Sequence, residues 1–225
     1  MSLKFTSLLA SLALLMAADP VWKTKPVAQW SEEDARQVLT SSPWVKRATP
    51  ALLPELTAEQ RREGGATGGG KGVGFKGLAE SNLDKEVRAA RAGRMAPLAI
   101  RWESALPVRS AEVKARELGA PDWEGDAYAI AVYDVPNVKT NDKSLAADLK
   151  RAAVLKREGK KDLRPYGVVL MQEPGGLAVV VYLFSRSEAI SKDDPQVEFV
   201  AQINRLSLAQ YFFPAEMEFE GKLEL

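Results

Sequence analysis

From residue 98 onward, apolar and polar side chains alternate in short runs. Leu98, Ile100 and Trp102 fall on one side of an extended segment, and Ala99, Arg101 and Glu103 on the other. That period of two is the signature of a strand. Residues 127–134, AYAIAVYD, are apolar on both faces, as a central strand is. Residues 166–172 and 177–185 flank Glu173-Pro174-Gly175-Gly176. Proline presets φ and the following glycine permits a positive φ, so the pair predicts a β-hairpin with a four-residue loop. Residues 196–203 and 206–213 form a second candidate pair. Residues 219–225 set Phe219, Leu223 and Leu225 against Glu220, Lys222 and Glu224, a final strand with one wet face.

Helical signals lie between and before these strands. Ser31 can cap a helix whose third position is Asp34, with Ala35, Val38 and Leu39 as its apolar stripe; Ser41-Ser42-Pro43 stops it. Thr57 opens a short helix that ends at Gly64, and Ser81 or Asn82 opens a polar one to about Ala92. Ser110 caps AEVKAREL, which Gly119 ends. Asp142 or Ser144 opens a helix to about Glu158, with Leu145, Leu149 and Ala152 on one stripe. There is no internal repeat. Helices first, then β-α-β-α, then a run of strands predict an α+β fold: a mainly antiparallel sheet with helices on one face. The domain spans 78–225, preceded by a helical N-terminal arm (19–63) and a glycine-rich linker (64–77).

The first 18 residues are different in kind. Lys4 precedes an apolar run over residues 5–18, which ends in small residues before Asp19-Pro20. Fourteen residues are too few to span a bilayer comfortably, and the arrangement is that of a secretory signal peptide. The expected mature protein is periplasmic or extracellular, and no later stretch is long enough for a transmembrane helix.

Composition narrows the chemistry. The chain has 225 residues, 46% hydrophobic, with no cysteine and no histidine. A core is available through most of it. Disulfides, thiolate nucleophiles, thiolate-bound zinc and lipidation at cysteine are excluded, as are Ser-His-Asp and Cys-His catalysis within the chain. A net charge of +1 provides no field for nucleic acid or an anionic membrane. No cofactor is implied.

One motif invites nucleotide chemistry. Residues 65–71, GATGGGK, fit the first seven positions of the phosphate-loop pattern G-x-x-x-x-G-K-[ST]. A working loop follows a buried strand, has a hydroxyl after the lysine for magnesium, and opens a helix toward the phosphates. Here the polar TAEQRRE precedes it, Gly72 follows Lys71, and glycine continues to Gly77; residues 64–77 hold eight glycines in all. A flexible linker is the better reading.

The remaining candidates each have a plain alternative. Glu103, Asp126 and Asp134 are weak catalytic candidates; the plain readings are an ion pair of Glu103 with Arg101 and turn capping by the strand-end aspartates. Arg101 and the arm tryptophans Trp22, Trp30 and Trp44 are possible ligand or partner contacts. The tryptophans serve equally as anchors of the arm on its own sheet, the reading preferred here. Lys150, Arg151, Lys156, Arg157, Lys160, Lys161 and Arg164 form a basic run interrupted by Glu158 and Asp162. It has no interleaved aromatics for base stacking, and a solvated face accounts for it better than an anion-binding surface does.

SEEDARQVLTSSPWVKRA (31–48), the glycine stretch, IRWESALPVRSAE (100–112) and AEMEFEGKLEL (215–225), in that order, resemble a family of uncharacterised secreted bacterial proteins. SPW and RWESA are the most specific stretches. The resemblance implies export and an envelope setting and transfers no activity, cofactor or site. The leading expectation is a binding or scaffolding protein without catalytic activity whose partner is an unknown protein or envelope component. The alternative is a carboxylate-dependent hydrolase acting on cell-envelope polymers. For the glycine stretch, titration with ATP should give no binding heat before or after Lys71→Ala; heat that Lys71→Ala abolishes would reinstate the phosphate loop.

Overall fold

Strand β3 (Leu98–Trp102) shows how alternation sets the architecture. Its even-numbered residues enter the main core, and Ala99 enters a second cluster on the opposite face. The computed structural model describes residues 19–53, 95–117, 119–136, 138, 143–172 and 176–225. The expected signal peptide, the glycine linker with Lys71, the helices opening at Thr57 and at Ser81 or Asn82, and turn residues 173–175 lie outside them.

Two sheets carry the fold. The first has the order β1 (Val45–Ala48), β3, β4 (Ala127–Val135), β7 (Ala178–Ser185), β6 (Pro165–Gln172). The second runs β2 (Ala51–Leu52), β9 (Leu206–Phe212), β8 (Val197–Ile203), β5 (Ala153–Arg157). Every pairing in them is antiparallel. With helices α1 (Val21–Thr24), α2 (Glu32–Ser41), α3 (Leu106–Ala115) and α4 (Lys143–Arg151), this is the α+β class that the pattern predicts. β4, apolar on both faces, is the middle strand of its sheet, and both expected hairpins, β6–β7 and β8–β9, are present.

The sheets meet through aromatic side chains. Trp102 stands edge-on to Phe212 with ring centres 5.2 Å apart, and Tyr182 to Phe199 at 5.4 Å. Ile100, Ile130, Val132, Val180 and Phe184 of the first sheet join Leu155, Ala201, Ile203 and Leu208 of the second in one core.

The arm belongs to that core. Ser31 caps α2 as expected: its Oγ accepts from Asp34 N at 3.1 Å, and Asp34 Oδ2 accepts from Ser31 N at 2.9 Å. The hydrogen bond from Lys25, followed by that from the Ser31 backbone, holds the Asp34 carboxyl down at about 2. Beyond α2 the arm adds β1 and β2, which carry no alternation long enough to read. Trp22, Trp30 and Trp44 are buried. Trp44 Nε1 donates to the Glu224 carbonyl at 2.7 Å, Trp30 Nε1 donates to the Lys25 carbonyl at 3.0 Å, and Trp30 stands edge-on to Phe219. They are anchors and present no contact surface to a ligand.

Three boundaries differ from expectation. Helix α3 starts at Leu106 with Pro107 in its first turn, where proline forfeits no hydrogen bond, so Ser110 is an interior residue. Helix α4 stops at Arg151, and the stretch expected to extend it is β5, paired along its length with β8. The last residues form a short hairpin, β10 (Glu218–Phe219) and β11 (Lys222–Leu223), in place of one strand. Its two turn residues, Glu220 and Gly221, have φ of 49° and 76°, as a two-residue turn matched to strand twist requires.

Trp44→Ala should cost about 3–5 kcal/mol of stability, because it opens a cavity in a packed core. Urea unfolding of the two proteins measures this, and a shift below about 1 kcal/mol would show that the arm is not structurally required.

Candidate functional site

The main chain turns sharply after β3, and that turn builds the site. Glu103 N donates to the Ala129 carbonyl at 2.8 Å, and Ser104 Oγ accepts from Ala129 N at 3.0 Å. The chain then enters α3, whose buried stripe is Pro107, Val108, Ala111 and Glu112. Glu112 therefore faces inward, toward fully buried Glu103. Tyr133 of β4 and Arg101 of β3 reach the same region from the sheet.

One hydroxyl lies between the two carboxyl groups. Tyr133 Oη is 3.0 Å from Glu103 Oε2 and 3.4 Å from Glu112 Oε1. It has a single hydrogen to donate. Arg109 Nη1 lies 3.2 Å from Glu112 Oε2 and 3.9 Å from Glu103 Oε1, and donates to the Pro121 carbonyl at 2.6 Å. Its guanidinium sits over Trp123, 5.0 Å from the ring centre. Arg101 stacks on Tyr133 at 4.3 Å and gives Nη1 to both oxygens of Glu117, at 2.9 and 3.0 Å.

Two buried carboxylates cannot both ionise cheaply beside one guanidinium. Burial, then the hydrogen bond and charge of Glu103, push the Glu112 carboxyl up to about 10. Glu112 is thus a neutral acid at neutral pH. Among the described residues no group donates to Glu103 Oε1, and a protonated Glu112 can supply a hydrogen within the cluster. Burial and the Glu103 charge also raise the Tyr133 phenol well above its ordinary value. Burial opposes the charge on Arg101, but its interactions with Tyr133, Glu117 and Glu103 outweigh it and raise its pKa.

Beside this cluster lies an open cavity of about 270 Å³, lined by Arg109, Glu112, Val113, Arg116, Glu117 and Ala120. Arg116 closes α3 in the left-handed conformation, φ 54° and ψ 39°.

Of the candidates read from the sequence, Glu103 and Arg101 come together here. Asp126 is exposed and pairs with Arg186 at 2.7 Å. Asp134 is exposed, at φ 61°, where the β4–β7 register shifts. Neither aspartate reaches the cluster. Much of the basic run is used within the fold: Arg157 holds the Lys161 carbonyl and Glu188, Lys156 holds Glu198, and Lys160 holds Asp194. Sequence reasoning missed Glu112, Tyr133, Arg109 and Trp123. Glu112 had a visible signal, because a glutamate shares the 108–111–112–115 stripe with Val108, Ala111 and Ala115. Among the described residues, no group of three or more acidic, histidine or cysteine side chains is placed to hold a metal ion.

Comparison of the chain with protein-family models, curated proteins and solved structures returned no match. The chemistry of the site itself must therefore carry the functional argument.

The raised Glu112 pKa has a signed consequence. The folded protein keeps a proton that the unfolded chain releases above the ordinary value of 4.5. The stabilisation is fully present below that value and is lost as pH rises toward about 10, by at most about 1.4 kcal/mol per pH unit. Glu112→Gln keeps the shape and a donor but removes the titration. Urea midpoints between pH 5 and 9 should fall less for Glu112→Gln than for the parent; equal slopes would show that Glu112 ionises in the native state.

Proposed function

We propose that this protein is an exported bacterial binding or scaffolding protein of the periplasm or cell exterior, without catalytic activity. The apolar run at residues 5–18 and the resemblance carried by SPW and RWESA support export. Among the described residues no helix is long and apolar enough to cross a membrane.

The observation that carries the non-catalytic reading is that Glu103 and Glu112 share the Tyr133 hydroxyl. A two-carboxylate glycosidase holds its groups about 5 Å or more apart, with the scissile bond between them. Here the Tyr133 hydroxyl lies against both carboxyl groups, 3.0 Å from Glu103 and 3.4 Å from Glu112, and takes the place that a scissile bond would need. Glu103 is fully buried, and of the pair only Glu112 lines the cavity. A carboxyl that stays protonated to about pH 10 is a poor proton donor and no nucleophile near neutrality. The arrangement favours holding a ligand over cleaving one.

Two measurements test this. Mass spectrometry of the exported protein should show loss of roughly the first 17 or 18 residues; an intact Met1 confined to the cytosol would refute export. Mature protein incubated with peptidoglycan or envelope polysaccharide should release no soluble fragments. Fragment release that Glu112→Gln abolishes would establish the hydrolase alternative.

A further inference from the structure

We propose that the cavity beside α3 binds one small monocarboxylate with an apolar body, its carboxylate held by Arg116 and its body lying on Val113 and Ala120. This rests on the binding reading above and names the ligand class for the same site.

The charges around the cavity motivate the choice. Arg101 is committed to Glu117, and Arg109 to Glu112, Glu103 and the Pro121 carbonyl. Arg116 lines the cavity, is exposed and has no ion-pair partner among the described residues. Among the described residues it is the cation lining the cavity that has no counter-charge. A single negative charge balances it. A doubly charged phosphate would leave excess negative charge facing buried Glu103, and a cationic ligand would meet two guanidinium groups at the rim. A planar carboxylate also matches the guanidinium fork with two parallel hydrogen bonds.

The apolar requirement comes from Val113. It is 79% exposed, the most exposed large apolar side chain described, and it lies on the cavity wall between Arg109 and Arg116. Glu112, only 2% exposed, contributes a polar edge to the floor, a donor when protonated. The Arg116 backbone is pinned by the bond from its N–H to the Val113 carbonyl, which fixes where its Cα–Cβ bond leaves the helix end. A volume of about 270 Å³ sits just below the usual range for small-molecule sites, about 300–1,000 Å³, which limits the ligand to a short acid or one terminal residue. A free acid and the C-terminal residue of a peptide share this chemistry.

The test uses the mature chain and five probes: hexanoate, N-acetyl-leucine, hexanamide, hexylamine and inorganic phosphate. NMR titration should place a carboxylate probe at Val113 and Ala120, binding at least about tenfold tighter than hexanamide, hexylamine or phosphate, the scale of a charge-assisted bond. Preference for hexanoate identifies a free acid; preference for N-acetyl-leucine identifies a chain terminus. Arg116→Asn, which tolerates the left-handed backbone, should abolish the carboxylate preference with unchanged Tm, and Arg116→Lys should restore part of it. Equal binding of hexanamide or hexylamine at the cavity would overturn the ligand class and leave the binding reading standing. Carboxylate binding untouched by Arg116→Asn would overturn the role of Arg116. No response to any probe at Val113 and Ala120 would overturn both the proposal and the assignment of the cavity as a binding site.

Discussion

Trp102 is the residue on which the two sheets, the arm and the site converge. It is fully buried, edge-on to Phe212 across the sheet interface and to Tyr128 on the neighbouring strand at 6.0 Å. Its backbone N–H donates to the Trp44 carbonyl at 2.8 Å, which ties the arm to β3. The next residue is Glu103. Packing of the Trp102 indole therefore fixes where the chain leaves the sheet and where the buried carboxyl is set down. The fit has a cost: among the described residues the indole N–H of Trp102 has no hydrogen-bond partner, nor have Trp22 Nε1 and Tyr182 Oη. Each such buried polar atom forfeits about 1–3 kcal/mol, which the surrounding apolar contacts must offset.

The polar cluster is consistent with that rigid base. Glu103 is held by the turn after β3, Tyr133 by the central strand and Glu112 by the inward stripe of α3. None of the three can retreat to water without unpacking an element. The low-dielectric response is to keep one proton on Glu112, so that the pair carries one charge facing Arg109. That proton removes the repulsion between two buried charges, while the Tyr133 hydroxyl between the carboxyls links α3 to the sheet. It also bears on the electrostatics of the cavity outside, where Arg116 has no counter-charge among the described residues.

Much of the fold was legible because its signals are local. The capping box at Ser31 and Asp34 needs four consecutive residues. The β6–β7 hairpin needs two apolar runs and the Pro174-Gly175 pair between them. The central position of β4 follows from residues 127–134 being apolar on both faces. Two strands that the pattern did not predict were decided by distant partners. Residues 153–157 follow α4 directly and continue its helical composition, yet pairing with β8 holds them extended. Val45 to Ala48 form a strand because β3 offers an edge, and nothing nearby announces it.

The site divides along the same line. Sequence alone determined the absence of cysteine and histidine chemistry and the side of the 98–103 segment that carries Arg101 and Glu103, since each depends on residue identity and spacing along one element. Only the tertiary structure decided that Glu103 meets Glu112 and Tyr133, that Asp126 and Asp134 stay outside, and that the arm tryptophans are interior. Those outcomes depend on how a strand end, a helix and a neighbouring strand are brought together. A carboxyl group becomes a protonated, buried partner only when another element removes it from water.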